Sequence, residues 1–165
     1  MPLPHLSSER PYVTDGGLET TLIFHTGIDL PDFAAFPLVD SGAGRAALAD
    51  YYTPYLALAD RLRTGIVLDT PTWRASLDWG ARLGYDSTRI AELNRAAVGF
   101  VRGLATDRPS VPAVINGVIE LPVSLYQTFV IEERFGFTIH DDDMDSSVFA
   151  TLGSLTDFVT AKLAG

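Results

Sequence analysis

Residues 65–73 read GIVLDTPTW, a short apolar run that ends in an acidic residue and a pair of threonines around a proline. The apolar residues at 66–68 follow one another without the polar alternation that is typical of a strand with one solvated face. A continuous run of this kind predicts a strand that is buried on both faces, as in a parallel sheet. Ligands of parallel sheets bind outside the carboxyl ends of the strands, so Asp69 and Thr70 stand where a binding site is expected.

Two further strands are predicted around this one. Residues 11–14 form a short extended segment that stops at Asp-Gly-Gly, residues 15–17. The segment AVINGVI, which begins at residue 113 and contains Asn116, is a third candidate for a buried strand. The acidic and amide side chains that follow these strands would lie at one common edge if the strands run in the same direction.

Helices are predicted between the strands. A short helix over residues 19–26 ends at Gly27, and a helix over residues 86–104 is capped by Asp86 or the serine after it. A longer helix over residues 43–63 contains Pro54, which should bend or interrupt it. Its predicted apolar face consists of Leu48, Tyr51, Tyr55, Leu58 and Leu62. The order strand, helix, strand, helix, strand predicts a parallel α/β fold.

Composition excludes several classes of function. The chain has 165 residues, with 21 acidic and 12 basic residues and a formal charge of −9, which argues against nucleic acid and anionic membranes as partners. No apolar stretch reaches the length of a membrane span and the first residues lack the pattern of a secretory signal, so a cytoplasmic protein is expected. With no cysteine, the chain itself supplies no thiolate nucleophile and no cysteine-bound zinc.

The last part of the sequence differs in character. Residues 120–165 contain eight acidic and two basic residues and show helical patterns, predicted over residues 124–135 and 154–163, without further strands. The sequence therefore predicts two parts, a βα domain over residues 1–119 and an acidic helical tail over residues 120–165.

The ordered set DGGLETTL, YYTPYLALA, VLDTPTWRASLDWGARLGY, ELNRAAVGFVRGL and VINGVI resembles the amino-terminal part of a homocysteine S-methyltransferase over about residues 11–119. The resemblance implies a (β/α)8 TIM barrel, here limited to its first three βα units and followed by the helical tail. It also implies methyl transfer to the thiol of homocysteine, activated by a zinc ion that three cysteines hold.

The resemblance also implies a set of substrate-binding residues. Asp15 would receive the ammonium group of the amino acid, and the glycines after it would let the backbone approach closely. The positions that match the family's pocket are Asp15, Gly16, Gly17, Glu19, Thr70, Thr72 and Trp73. Other interpretations stay open, because Asp15 could simply stabilise a turn and cap a helix, and Trp73 could be a packing aromatic.

The resemblance stops before the residues that would carry the reaction. The zinc cysteines are absent, so no catalytic residue and no cofactor are assigned within this chain, and the activity would need segments that the chain lacks. Homocysteine and a methyl donor would be partners only of a completed domain. Three βα units leave open strand edges, which predicts self-association.

The tail resembles the second half of an acyl carrier protein over about residues 123–163. In that family a serine carries phosphopantetheine at the start of the second helix, and Ser124 is the nearest substitute here. The alternative function is therefore a carrier or protein-interaction module that uses the acidic terminal helices. Two joined halves that each lack their chemistry would also fit a recombined or truncated reading frame.

Overall fold

The computed structural model describes residues 4–119, 138 and 152–164. The chain divides into two compact units, residues 1–120 and 121–165. The helices and strands of the first unit are α1 (Pro4–Ser7), β1 (Val13–Thr14), α2 (Leu18–Thr20), α3 (Gly42–Leu62), β2 (Ile66–Asp69), α4 (Leu77–Arg82), α5 (Ser87–Thr106) and β3 (Ala113–Asn116). A π-helical turn, Thr21–His25, continues α2 directly, and two 3-10 turns, Pro31–Phe33 and Phe36–Asp40, precede α3.

The three strands form one parallel sheet in the order β1-β2-β3. Val13 lies opposite Ile66 in the first pair, and Asp69 lies opposite Asn116 in the second. All three strands therefore end at the same edge, and the prediction of a parallel α/β architecture is confirmed. The described strands number three, which is too few to close a barrel on their own.

Burial differs between the central and the outer strand. In β2 the side chains of Ile66 and Leu68 are fully buried, as the apolar run predicts. In β3 the burial predicted from the sequence is only partial, since Ala113 and Asn116 are exposed. The reason is position in the sheet: within the described residues no strand pairs with the far side of β3, so one side of it stays accessible to solvent.

Helix α3 confirms the predicted helix and the burial of Leu48 and Tyr51, but it corrects the rest of the predicted face. Ser41 begins it, with its hydroxyl oxygen accepting from the amide of Gly44 at 2.9 Å. Leu62, predicted to face the core, is 57% exposed, whereas Leu56 and Ala59 are buried. The apolar spacing fitted two neighbouring stripes of the helix equally well, and packing against β1 and β2 selects the one that carries Leu56 and Ala59.

Pro54 does not interrupt α3, contrary to the expectation from sequence. It lies on the exposed side of the helix, and its cost is the one hydrogen bond that its missing N–H cannot make to the carbonyl four residues earlier. The buried residues on either side of it hold the remaining turns in place.

Helix α5 follows the sequence prediction closely. The carboxylate of Asp86 accepts from the amide of Arg89 at 2.7 Å and caps the first turn. Its apolar residues at spacings of three and four, Ile90, Leu93, Ala97 and Val101, are buried. Helix α4 had no counterpart in the sequence prediction, because its six residues are too few to show a helical period.

The segment directly before α3 contributes to the core. Phe36 and Val39, in the second 3-10 turn, are almost completely buried. This turn lies so close to α3 that a Cβ atom on Gly44 would overlap the carbonyl of Leu38. Close packing of this kind needs a glycine at this point of the helix, a requirement that the helical period alone does not reveal.

In the second unit the structure describes one helix, α6 (Leu152–Ala164), which confirms the helix predicted over residues 154–163. The Lys162 ammonium group lies 5.8 Å from the centroid of the Phe158 ring. The predicted helix over residues 124–135, including Ser124, and the acidic segment after it fall outside the described residues.

Candidate functional site

A small cleft opens at the carboxyl edge of the sheet, with a volume of about 120 Å³. Three acidic side chains, the two glycines after β1, and one indole ring supply most of its wall. It is lined by Asp15, Gly16, Gly17, Leu18, Glu19, Asp69, Thr70, Trp73 and Val118. We call it the carboxyl-edge cleft.

Asp15 stands at the end of β1 and is 7% exposed. Its Oδ1 accepts from the backbone amide of Asp69 at 2.8 Å, and its Oδ2 accepts from the hydroxyl of Tyr51 at 3.1 Å. The side chain thereby ties the end of β1 to the end of β2 and to α3. Each carboxylate oxygen keeps acceptor capacity beyond these bonds, so Asp15 can hold the edge together and still accept from a ligand.

Asp69 repeats the arrangement one strand further along. Its Oδ1 accepts from the side-chain amide of Asn116 at 2.8 Å, which joins the ends of β2 and β3. The hydroxyl of Tyr52 donates to the backbone carbonyl of Asp69 at 2.6 Å. Side chains at the three strand ends therefore form one connected hydrogen-bonded edge.

Burial disfavours the ionisation of two carboxyl groups in the cleft, Asp15 and Glu19. Burial, assisted by the negative charge of Asp69, raises the pKa of Asp15 above its ordinary value of 3.8, although hydrogen bonds from Asp69 and Tyr51 oppose the shift. Burial also raises the pKa of Glu19 above 4.5, with Asp15 and Asp69 adding to the rise and the charge of Arg74 opposing it. Burial and the nearby Asp15 carboxylate raise the pKa of Tyr51, so this phenol stays a donor.

The two threonines at the end of β2 hold the chain that follows β3. The hydroxyl of Thr72 donates to the carbonyl of Val118 at 2.7 Å, and the amide of Val118 donates to the hydroxyl oxygen of Thr70 at 3.1 Å. Since the Thr72 proton is used, Thr70 is the donor in the 2.7 Å bond between the two hydroxyls. Both hydroxyls thus belong to a closed ring that positions Val118 at the rim of the cleft.

Gly16 and Gly17, which follow Asp15, differ in backbone conformation and in the space around them. Gly17 has a φ of +71°, a left-handed conformation that glycine adopts without strain, and α2 begins directly after it. Gly16 has open space where a Cβ would be, and its carbonyl accepts from the hydroxyl of Tyr55 at 3.0 Å. The backbone around Gly16 therefore leaves room next to the cleft.

The indole of Trp73 forms part of the wall, and a guanidinium group lies against it. The guanidinium carbon of Arg74 is 4.3 Å from the centroid of the Trp73 ring and 3.9 Å from that of Trp79. The guanidinium carbon of Arg82 lies 4.5 Å from the Trp79 ring. The two indoles therefore hold cationic side chains beside the cleft, in addition to any contribution to packing.

Six of the seven residues expected in a pocket lie in this cleft. Thr72 lies beside it and lines a neighbouring cavity with Thr70. Tyr51 and Tyr55 were expected only on the apolar face of α3, and Asp69 was expected near a binding site but not among the pocket residues that the resemblance implies. The signal for Asp69 was available, because it immediately follows the buried strand, whereas the contacts of Tyr51 and Tyr52 depend on how α3 packs.

The donor set does not indicate a metal centre. In the described ranges, no group of three or more His, Cys, Asp or Glu side chains is arranged to hold a metal ion. The cleft instead combines carboxylates with an aromatic face, a combination that suits an organic cation.

Residues 110–141 match the family model of the CAAX prenyl protease N-terminal domain, which is described as five membrane helices. The match covers less than half of the chain and does not assign it to that family. Residues 113–116 within it form β3, a strand of the parallel sheet. Among the helices that the structure describes, none has the length and hydropathy needed to cross a membrane. No curated protein and no solved structure matches the chain.

This match corrects the resemblance drawn from the sequence. The family model that matches belongs to a prenyl protease domain rather than to homocysteine S-methyltransferases, so the assignments to methyltransferases, homocysteine and methionine biosynthesis are wrong. The same finding gives no support to the acyl carrier resemblance of the tail. The motifs misled for a physical reason: an Asp-Gly-Gly turn and a polar turn after a buried strand occur wherever parallel strands end in a βα unit.

Proposed function

We propose that the carboxyl-edge cleft binds the ammonium group of a small molecule. The observation that carries the proposal is the convergence of three carboxylates, Asp15, Glu19 and Asp69, on one cleft of about 120 Å³ whose lining contains no Lys or Arg. Burial, assisted by the neighbouring carboxylates, raises the pKa values of Asp15 and Glu19, and a cation bound in the cleft would favour their ionised forms.

The wall of the cleft supports an organic cation. Carboxylate oxygens accept hydrogen bonds from N–H groups, and the indole of Trp73, which contacts the Arg74 guanidinium, supplies an apolar part of the wall. Arg74 limits how much positive charge the rim tolerates, because its charge already lowers the pKa of Glu19. We therefore expect one ammonium group per cleft rather than a polyamine.

Titration with propylammonium, followed by amide chemical shifts, tests the proposal. We expect shifts concentrated at Gly16, Gly17 and Val118, and no such shifts with 1-propanol, which has a similar shape but no charge. Glu19→Gln should weaken binding by about tenfold or more, since a hydrogen bond to a charged group contributes roughly 1.5–3 kcal/mol.

Asp78→Asn is the matched control, because Asp78 is an exposed acid in the first turn of α4 and does not line the cleft. This variant should bind propylammonium as the wild type does. Equal shifts with propylammonium and 1-propanol, or equal losses in Glu19→Gln and Asp78→Asn, would contradict the proposal.

We do not extend this proposal to methyl transfer, because the resemblance that implied it has been corrected. The sheet itself suggests an architectural proposal: the three described strands and the helices between them are arranged like the start of a barrel, and a strand of a second copy completes the outer edge of β3. Amide exchange at Ala113 and Ile115, whose N–H groups point away from β2 in the parallel register, should then slow as protein concentration rises. Exchange that is independent of concentration would contradict this arrangement.

Cytoplasmic location stays a prediction from the sequence.

A further inference from the structure

A second cavity, separate from the carboxyl-edge cleft, lies between α3 and the segment that follows α2. Its volume is about 480 Å³, within the range of small-molecule sites in proteins. We call it the α2–α3 groove and define it by Thr21, Ile28, Ala47, Asp50, Tyr51 and Pro54, which line it. Most of its surface is apolar, so a ligand would bury a hydrocarbon body there.

Two departures from regular α-helical structure face each other across this groove. On one side is the π-helical turn, in which the amide of Thr26 donates to the carbonyl of Thr21 at 3.2 Å. On the other side is Pro54, inside α3. Each departure is unfavourable for a helix considered alone, and such features are concentrated at functional sites.

Pro54 changes the polarity of the groove. In a helix, each carbonyl normally accepts from the N–H of the residue four positions later. Since proline has no N–H, the carbonyl of Asp50 lacks this donor. The carboxylate of Asp50 is exposed on the same turn, and in the part of the chain that the structure describes it has no ion pair. Residue 50 therefore presents a carbonyl and a carboxylate, both of which are acceptors.

The aromatic residues of the groove add no donor to it. The hydroxyl of Tyr51 donates to Asp15, and the hydroxyl of Tyr55 donates to the carbonyl of Gly16. Both rings line the groove. A ligand there meets apolar side chains, aromatic rings, two threonines and the acceptor groups of Asp50, and the negative charge of Asp50 favours a cation with an apolar body.

We infer that the α2–α3 groove binds a small organic amine whose ammonium group contacts Asp50 and whose apolar body lies between Ile28 and Ala47. This site is distinct from the carboxyl-edge cleft, and its occupation does not depend on that cleft. Because Tyr51 and Tyr55 also contact the end of β1, a ligand in the groove should also shift the amide resonances of Asp15 and Gly16.

The test is titration with 4-phenylbutylamine, followed by amide and methyl chemical shifts. We expect the largest changes at Thr21, Ile28 and Ala47, and we expect them to persist in Glu19→Gln, which impairs the carboxyl-edge cleft alone. Asp50→Asn should weaken binding of the amine about tenfold while leaving binding of 4-phenylbutanol within twofold, since only the amine carries a charge. Asp78→Asn should leave both unchanged.

A variant that fills the groove with a larger side chain provides a second test of the inference. Ala47→Leu places a larger side chain in the groove and should abolish the shifts, whereas Ala46→Leu, at the exposed neighbouring position, should not. Thermal unfolding of both variants confirms that they are folded. Three results would each overturn the inference. They are no shifts at groove residues in the wild type, wild-type binding by Ala47→Leu, or an equal effect of Asp50→Asn on binding of the amine and of the alcohol.

Discussion

Tyr51 and Tyr55 lie one turn apart on α3, and both hydroxyls donate to the end of β1. Tyr51 reaches the carboxylate of Asp15 at a buried position, whereas Tyr55 reaches the carbonyl of Gly16 at an exposed one. The same chemical group is thus used in two solvent environments. Comparison of the two separates the effect of burial from that of the hydrogen bond itself.

We predict that Tyr51→Phe lowers the free energy of unfolding by about 1–2 kcal/mol, because it leaves a buried carboxylate with one donor fewer. Urea denaturation at pH 7 measures this. Tyr55→Phe is the matched control and should cost less than about 0.5 kcal/mol, since water can replace its donor. Equal losses in the two variants would show that burial at Asp15 has no special effect.

The threonine ring gives a second prediction at this scale. Thr72→Val keeps the shape of the side chain but removes the donor to Val118 and the acceptor for Thr70, so we expect a loss of about 1–3 kcal/mol. Thr53→Val, at an exposed position where the hydroxyl donates only to a helical carbonyl, should change stability by less than about 0.5 kcal/mol. Chemical denaturation of the two variants compares them directly. A Thr72→Val variant as stable as Thr53→Val would contradict the ring.

Among the elements, α3 is unusual because it runs unbroken through Pro54. Proline is about 3 kcal/mol less favourable than alanine inside a helix, while it restricts the unfolded chain by about 1 kcal/mol. A fold that retains such a residue accepts a local cost. At the α2–α3 groove this cost releases the carbonyl of Asp50.

We predict that Pro54→Ala raises the free energy of unfolding by about 2 kcal/mol and weakens binding of 4-phenylbutylamine. The N–H of the new alanine would donate to the carbonyl of Asp50 and stabilise the helix. The same bond would occupy an acceptor of the groove and so weaken binding of the amine. Thermal denaturation and the amine titration measure the two effects. A variant less stable than the wild type would show that Pro54 contributes packing that its exposed position does not indicate.

The elements also show where sequence reasoning succeeds. Strand β2 and helix α5 were predictable because a continuous apolar run and a capped helical period are local signals. The buried face of α3 was not, because two adjacent stripes were both apolar and only tertiary contacts choose between them. The half-exposed state of β3 was also beyond the sequence, since an apolar strand does not reveal whether it has a neighbour on both sides.

For the whole molecule, the acidic edge links stability to pH. The raised pKa of Glu19 means that the folded state binds more protons than the unfolded state above the ordinary value of 4.5. Stability therefore falls as pH rises from this value through the raised pKa, and it stays lower at neutral pH. The direction is opposite to that of a carboxylate held in a salt bridge.

We predict that Glu19→Gln is more stable than the wild type at pH 7, by less than about 1 kcal/mol because the side chain is partly exposed to solvent. The difference should shrink below pH 4.5, where the wild-type carboxyl group is protonated in both states. Denaturation curves from pH 3 to pH 8 measure it, with Asp78→Asn as the control. A wild type that gains stability relative to Glu19→Gln as pH rises would contradict the prediction.

The location of the candidate site was predictable at this scale, although the family was not. A parallel sheet brings all strand ends to one edge, so Asp15, Asp69 and Thr70 lie together as a consequence of topology. The chemistry of a particular family does not follow from topology, because many families build different sites at the same edge. The residues that carried the resemblance indicate a parallel α/β architecture, and they do not also indicate an activity.

The most direct measurement is the pKa of Asp15 and of Glu19, obtained from side-chain carboxyl chemical shifts with and without propylammonium. We predict pKa values above 3.8 for Asp15 and above 4.5 for Glu19 in the free protein, both of which fall when the amine is added. Values at or below these numbers in the free protein, or values that the amine leaves unchanged, would contradict the claim that these carboxylates form a cleft for a cation.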